Sequence, residues 1–193
     1  MVYAGAVIIG YLLGSVPVAV LVARGHGVDL HATGDGNPGA WNALGQLGAR
    51  RAWPVFAGDG LKGLLAGLAG LALGSWSVGW AGVAAAMVGH ALPVFDRFRG
   101  GKSVMTFAGG MFALAPVAAV IALAACLAVS AASAFRYGAR VGVFGFPLVQ
   151  LALDPVRHLI ATGILMTLIG TLFLLRRRTP GPASAAAGAA QTP

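Results

Sequence analysis

Two stretches of this chain carry residue types that packing alone does not call for. The first is His90-Ala91-Leu92-Pro93-Val94-Phe95-Asp96-Arg97-Phe98-Arg99-Gly100-Gly101-Lys102-Ser103, which sets a glycine pair, a lysine and two arginines between two apolar segments. Glycines let backbone N–H groups approach a ligand closely, and a neighbouring lysine adds a point charge, so Gly100, Gly101 and Lys102 suit a phosphate grip. The plainer alternative is a basic turn at a membrane surface, where Lys and Arg gather anyway. A Walker A loop is excluded, because Asp96 stands where that motif needs a glycine. The second stretch is Gly34-Asp35-Gly36-Asn37-Pro38-Gly39-Ala40-Trp41-Asn42. Asn37 suits an N-cap and Pro38 a first helical position, so a helix is expected to begin there with its N–H groups aimed at the glycine loop. Such an end favours anions, since its free donors and partial positive charge point the same way. The alternative is an amphipathic connector without a ligand.

Three further groups draw attention. Asp59 and Lys62, three residues apart in an apolar run, share a helix face and suit a structural ion pair. Ionisable groups inside a membrane are expensive and rarely idle. His90 closes an apolar run just before the glycine pair, either as a hydrogen-bonded helix end or as a group of the site.

The elements that must position these residues are apolar. Of 193 residues, 58% are hydrophobic and 9% charged, against roughly 25% charged in ordinary soluble domains. Mean hydropathy is +0.84, which points to an integral membrane protein. The net charge of +8 comes from basic residues at segment ends, which argues for membrane orientation rather than nucleic-acid binding. Aromatics do not interleave with basic runs, and no nucleic-acid partner is expected. One cysteine, Cys126, implies no disulfide framework. Four scattered histidines and no glutamate give no metal-ligand spacing, so neither a metal nor a cofactor is expected.

In chain order, 2–23 reads as a retained span rather than a signal peptide, with Gly14, Ser15 and Pro17 making a kinked packing face. A polar loop over 24–53 is longer than most connections. Within it Ala40, Leu44 and Leu47 fall at helical spacing, predicting a helix lying on the membrane with Trp41 in the interface and Arg50 and Arg51 near its end. Spans follow at 54–73 and 75–93. The run 104–134 is too long for one span and divides near Pro116, which returns Arg136 and Arg140 to the cytoplasm. A short apolar piece over 141–153, a turn with Asp154, Pro155, Arg157 and His158, and a last span over 159–175 complete the path to Arg176, Arg177 and Arg178. The expected fold is therefore an all-α integral membrane protein of about seven transmembrane segments, some short or broken. The N-terminus is outside and the C-terminus cytoplasmic. Residues 1–178 form a single polytopic domain, and the Ala, Gly, Pro and Ser-rich tail over 179–193 is expected to be disordered.

With these pieces in order the chain resembles the bacterial acyl-phosphate:glycerol-3-phosphate acyltransferases, the PlsY family, most clearly from Gly14 to Lys102. The resemblance rests on Gly14, Ser15 and Pro17; on Gly34, Gly36, Asn37, Gly39, Ala40 and Asn42; on Asp59, Lys62 and Gly63; and on the segment from Gly89 through Lys102. Each motif is weak alone, and their order and spacing are specific together. The resemblance implies a multi-pass enzyme of the bacterial plasma membrane. It would move a fatty acyl group from acyl phosphate to glycerol-3-phosphate, giving lysophosphatidic acid and phosphate for phospholipid synthesis. It implies catalytic roles for Lys102, Asn37 and His90, and phosphate binding by Gly34, Gly36, Gly39, Asn42, Gly100, Gly101 and Ser103. Asp59 and Lys62 would support them. No serine or cysteine is paired with a base in the sequence, consistent with direct transfer from an already activated donor.

The chain also departs from the family pattern. Asp35 and Trp41 replace a serine and a threonine, Gly45 stands where an arginine is usual, and Ser103 replaces a glycine. Gly138, Ala139 and Gly142 follow Arg136 and Tyr137 where serines are usual, and the C-terminal His-Arg-x-Asn pattern is missing. A second reading is therefore a non-catalytic homologue that binds a lipid phosphate or a partner protein. A third, a small transporter, draws on the broken segments and intramembrane charges but lacks inverted halves.

Overall fold

Proline and glycine decide where the helices stop. The computed structural model describes residues 1–175; the expectations for Arg176–Arg178 and for the tail over 179–193 lie outside the described residues. The first apolar run is a broken span, α1 (Val2–Ser15) and α2 (Val18–Arg24), interrupted at Val16 and Pro17. Val16 is extended at φ −62° and ψ 117°, as a residue before proline prefers. After a loop come α3 (Ala40–Leu47), α4 (Ala49–Leu73) and α5 (Trp76–Ala91). A single 3-10 turn, Val94–Asp96, precedes α6 (Val104–Leu114), and α7 (Pro116–Ala132), α8 (Phe135–Leu153) and α9 (Val156–Leu175) follow. All regular structure among the described residues is helical.

Among the described residues, four helical units are long and apolar enough to cross a membrane: Val2–Arg24, Ala49–Leu73, Trp76–Asp96 and Val156–Leu175. Val104–Leu114 and Pro116–Ala132 are shorter apolar helices, so the long run does divide at Pro116.

Three expected boundaries are corrected. The second span begins at Ala49, not at Pro54, and carries Pro54 inside it. Ala52 and Val55 are buried against Ala40 and Ala43 of α3, and this packing outweighs the hydrogen bond lost at the proline. The piece expected over 141–153 starts at Phe135, because Arg136 lies over the Tyr137 ring and donates to its hydroxyl at 3.0 Å within the first turn of α8. The last helix starts at Val156 rather than Leu159, so Arg157 and His158 sit in its first turn.

Small residues set the distance between helices. A Cβ on Gly63 of α4 would run into the Thr106 carbonyl oxygen of α6, so these two backbones touch in the manner of small-residue membrane contacts. The larger apolar core joins Trp80, Val83 and Met87 of α5 to Phe107 and Met111 of α6, Phe146 of α8 and Ile169 of α9. A smaller one, including Ala23, Leu30, Ala43 and Val55, underlies the long loop.

Contacts sort the helix ends onto two faces. On the first, Trp41 of α3 stacks on Phe135 at the start of α8 (6.0 Å between centroids), and Lys102 lies over the ring of Phe173 near the end of α9. On the second, Trp76 at the start of α5 donates to the Leu114 carbonyl at the end of α6 and stacks on His158. A Cβ on Gly74, between α4 and α5, would lie 3.7 Å from Val2, placing the start of α1 on this second face too.

Candidate functional site

The two glycine stretches meet on the first face. Lys102 Nζ lies 3.5 Å from Asp35 Oδ2. His31 Nε2 lies 2.8 Å from Asp96 Oδ2, a second link between the same two loops. Gly34 and Gly36 are left-handed, at φ +61° and +67°, which lets the loop double back. Asn42 holds the turn from inside by donating its amide to the carbonyls of Leu30 (3.1 Å) and Thr33 (3.0 Å). A Cβ on Gly34 would strike the Asn42 side chain.

The helix beyond the loop begins later than expected. Its N-cap is Gly39, not Asn37, and α3 starts at Ala40. Asn37 is diverted: its N–H donates to Asp35 Oδ1 at 3.2 Å and its carbonyl accepts from Gly39 N–H at 2.9 Å. Asn37 Oδ1 is buried and has no hydrogen-bond partner among the described residues.

The Gly-Gly-Lys turn is held by α5. Gly100 N–H donates to the Ala91 carbonyl at 3.2 Å and Gly101 N–H to the His90 carbonyl at 3.0 Å. A Cβ on Gly101 would meet His90 Nε2, so the imidazole packs directly on this glycine. Arg97, Phe98 and Ser103 are left-handed at φ 52°, 60° and 61°, a conformation costly for side-chain-bearing residues and frequent at ligand sites. Ser103 differs from its expected role. Its hydroxyl donates to the Met87 carbonyl at 2.7 Å and the residue is buried, so the side chain pins the start of α6 instead of facing the loop.

Behind the turn lies a buried charge set. Lys62 Nζ sits 2.8 Å from Asp59 Oδ1, the expected pair one helical turn apart. His90 Nδ1 lies 3.6 Å from the same oxygen. Lys62 also donates to the Val16 carbonyl at 3.1 Å, an acceptor exposed at the α1–α2 break. A cleft of about 220 Å³, counted to its open mouth, has Pro17, Pro38, Asp59, Lys62, His90, Arg99 and Gly100 in its wall.

The expected residues fall into two neighbouring groups: the glycine loop meets Lys102 through Asp35, while Asp59, Lys62, His90 and Gly100 line the cleft, whose wall includes neither Asn37 nor Lys102. Asn42 and Ser103 are directed inward. Sequence reasoning missed His31, Asp96, Arg99, Phe173 and the Val16 carbonyl. Pro17 was the available signal for the last, since a proline break exposes main-chain acceptors. Trp41 is a packing anchor on Phe135. Arg50 and Arg51 are exposed, and neither is in the cleft wall.

Fold and cleft together define a helical membrane protein in which two glycine turns, a lysine and an arginine are gathered at one end of the bundle. The chain belongs to the glycerol-3-phosphate acyltransferase family: the family model described as Glycerol-3-phosphate acyltransferase matches residues 4–180. It is 50% identical over 111 residues to the glycerol-3-phosphate acyltransferase of Rubrobacter xylanophilus, a match that covers 57% of this chain but only 56% of that relative. It is 37% identical over 183 residues to glycerol-3-phosphate acyltransferase 3 of Dehalococcoides mccartyi, covering 87% of this chain and 85% of the relative. The solved structure of PlsY (YgiH), an integral membrane glycerol 3-phosphate acyltransferase, in its glycerol 3-phosphate form is similar with a TM-score of 0.77 and 31% identity, over 89% of this chain and 88% of that one. With the apolar helices, these likenesses make the chain a multi-pass bacterial membrane protein.

Proposed function

We propose that this protein transfers a fatty acyl group from an acyl phosphate to glycerol-3-phosphate, forming lysophosphatidic acid and inorganic phosphate for phospholipid synthesis. The observation that carries this reading is the meeting of the glycine loop with Lys102, 3.5 Å from Asp35, at one end of a bundle of this family. Both substrates are anions, so catalysis rests on holding them together against repulsion and neutralising the charge that develops. Lys102 and the glycine loop around Gly34, Gly36 and Asn37 hold phosphate, while the Gly100-Gly101 turn, whose N–H groups bond to α5, positions the lysine. Arg99 adds positive charge at the cleft wall. The first hydroxyl of glycerol-3-phosphate attacks the acyl carbonyl carbon, the carbon–oxygen bond to phosphate breaks with its electron pair going to phosphate, and the hydroxyl proton passes to that phosphate. No enzyme nucleophile is needed. His90 fixes the Gly100-Gly101 turn, and Asp59 with Lys62 fixes His90.

In this reading residues 1–178 are one polytopic domain of about seven segments in the plasma membrane, and the face carrying the site is cytoplasmic. Arg24, Arg50, Arg51, Arg97, Arg99 and Lys102 lie at helix ends or loops of that face, and Arg157 at the other, which is the asymmetry the positive-inside tendency requires.

The test is phosphate release by the purified protein given a long-chain acyl phosphate, with and without glycerol-3-phosphate. Acceptor-dependent release with formation of lysophosphatidic acid is expected. Absence of release from folded protein would overturn the reading in favour of a binding homologue.

A further inference from the structure

The Asp35 carboxylate occupies two donors of the site, one on each glycine stretch. Its Oδ1 accepts the Asn37 N–H, one of the loop's main-chain donors, at 3.2 Å. Its Oδ2 faces Lys102 Nζ at 3.5 Å. It lies between two left-handed glycines, Gly34 and Gly36, in the kind of backbone turn that presents N–H groups to an anion. The side chains of Lys102 and Asp35 keep 17% and 15% of their surface exposed, so the pair is neither sealed in the core nor free in solvent. Among the described residues the ammonium also lies over the Phe173 ring, 4.6 Å from its centroid, a weaker partner than a carboxylate.

We propose that Asp35 is a built-in counter-ion of Lys102 that competes with the phosphate group of a substrate and thereby sets the affinity of the site. The inference rests on the reading of the loop and Lys102 as a phosphate site. An incoming phosphate takes over the lysine and the Asn37 N–H, and the carboxylate leaves both. The chain therefore binds phosphate more weakly than its donors alone would allow, and Asp35 selects for ligands whose other contacts compensate.

The test uses the full-length purified protein in detergent and inorganic phosphate as the probe, by titration calorimetry. Asp35→Asn keeps an oxygen for the Asn37 N–H and removes the charge. It is expected to bind phosphate about tenfold more tightly, from losing both a largely buried ion pair and a like-charge repulsion. The gain should vanish in the double variant Asp35→Asn/Lys102→Ala. Asp35→Ser provides a second variant should the first not fold. Steady-state kinetics then identify the source of the phosphate: the KM of either the acyl phosphate or glycerol-3-phosphate falls, and the one that falls belongs to the ligand at Lys102. Equal or weaker binding by the folded variants overturns the proposal. So does a gain that survives loss of Lys102, or no phosphate binding by any form. The expected binding pattern in a protein that releases no phosphate from acyl phosphate would keep the counter-ion and overturn the transferase reading alone.

Discussion

The two ends of the bundle are built from different materials. At the second face the helices are joined by short, uncharged or singly charged turns: Gly74 and Ser75 between α4 and α5, Ala115 between α6 and α7, Asp154 and Pro155 between α8 and α9. Its contacts are aromatic, with Trp76 set between Trp80 (5.0 Å) and His158 (3.4 Å). At the first face, beside short links at Gly48 and at Ser133 and Ala134, two long irregular stretches join α2 to α3 and α5 to α6. They contain left-handed Arg97, Phe98 and Ser103 and are cross-linked by His31–Asp96 and Asp35–Lys102. Irregular backbone and left-handed side-chain-bearing residues are tolerated in a membrane protein where they serve a cavity. The difference thus separates an end that closes the fold from an end that handles a ligand, and that division can be attacked by mutation.

The largest effect is expected just beneath the first face. Asp59→Leu leaves Lys62 buried without a counter-ion, a loss of about 3–5 kcal/mol that should show as a collapse in thermal stability. The double variant Asp59→Leu/Lys62→Met removes both charges and should recover most of that stability. It should not recover acyl transfer, because His90 loses its anchor at Asp59 and the Gly100-Gly101 turn loses its support. Full activity in the stable double variant would reduce the pair to packing. Next in size is Lys102→Ala, expected to lower activity and phosphate binding by about a hundredfold or more while the melting temperature stays near that of the parent. Unchanged binding would move the site away from the first face. Gly36→Ala places a Cβ at φ +67° and should cost about 1–2 kcal/mol in the loop, read as a raised KM with a small change in stability. An unaltered KM would mean that the loop does not touch substrate.

How far the sequence discloses this division depends on the distance over which each contact acts. The Asp59–Lys62 pair is local, three residues apart on one helix, and periodicity finds it. The break at Pro116 is local too. The meeting of the glycine loop with the Gly-Gly-Lys turn follows from motif order and charge topology, and the resemblance to a known family reinforced it. His31–Asp96 spans 65 residues and leaves no periodic signal, and Phe173 over Lys102 links the last helix to the Gly-Gly-Lys turn. Local rules also lost to competing partners. Asn37 and Pro38 read as a helix start, but the Asp35 side chain takes the Asn37 N–H and the helix waits until Ala40. Ser103 read as a ligand donor, but a left-handed backbone turns its hydroxyl to the Met87 carbonyl. Arg136 and Arg140 read as lying ahead of the apolar piece over 141–153, yet α8 begins at Phe135 and takes both arginines into its first turns.

The smallest effect tests the comparison from the other end. His158 lies flat on Trp76, with an interplanar angle of 14°, and both ring nitrogens are buried without hydrogen-bond partners among the described residues. The ring therefore contributes through stacking and packing, and the unmet nitrogens offset part of that gain. His158→Ala should cost about 0.5–1.5 kcal/mol, visible as a modest drop in melting temperature. His158→Phe keeps the stack, removes the unmet nitrogens and should match or exceed the parent. In both variants acyl transfer per folded molecule should equal that of the parent, because Trp76 and Leu114 tie this ring to the face away from Lys102. A change in KM for either substrate would show that the aromatic end is coupled to the site, and the division between a closing end and a working end would fail.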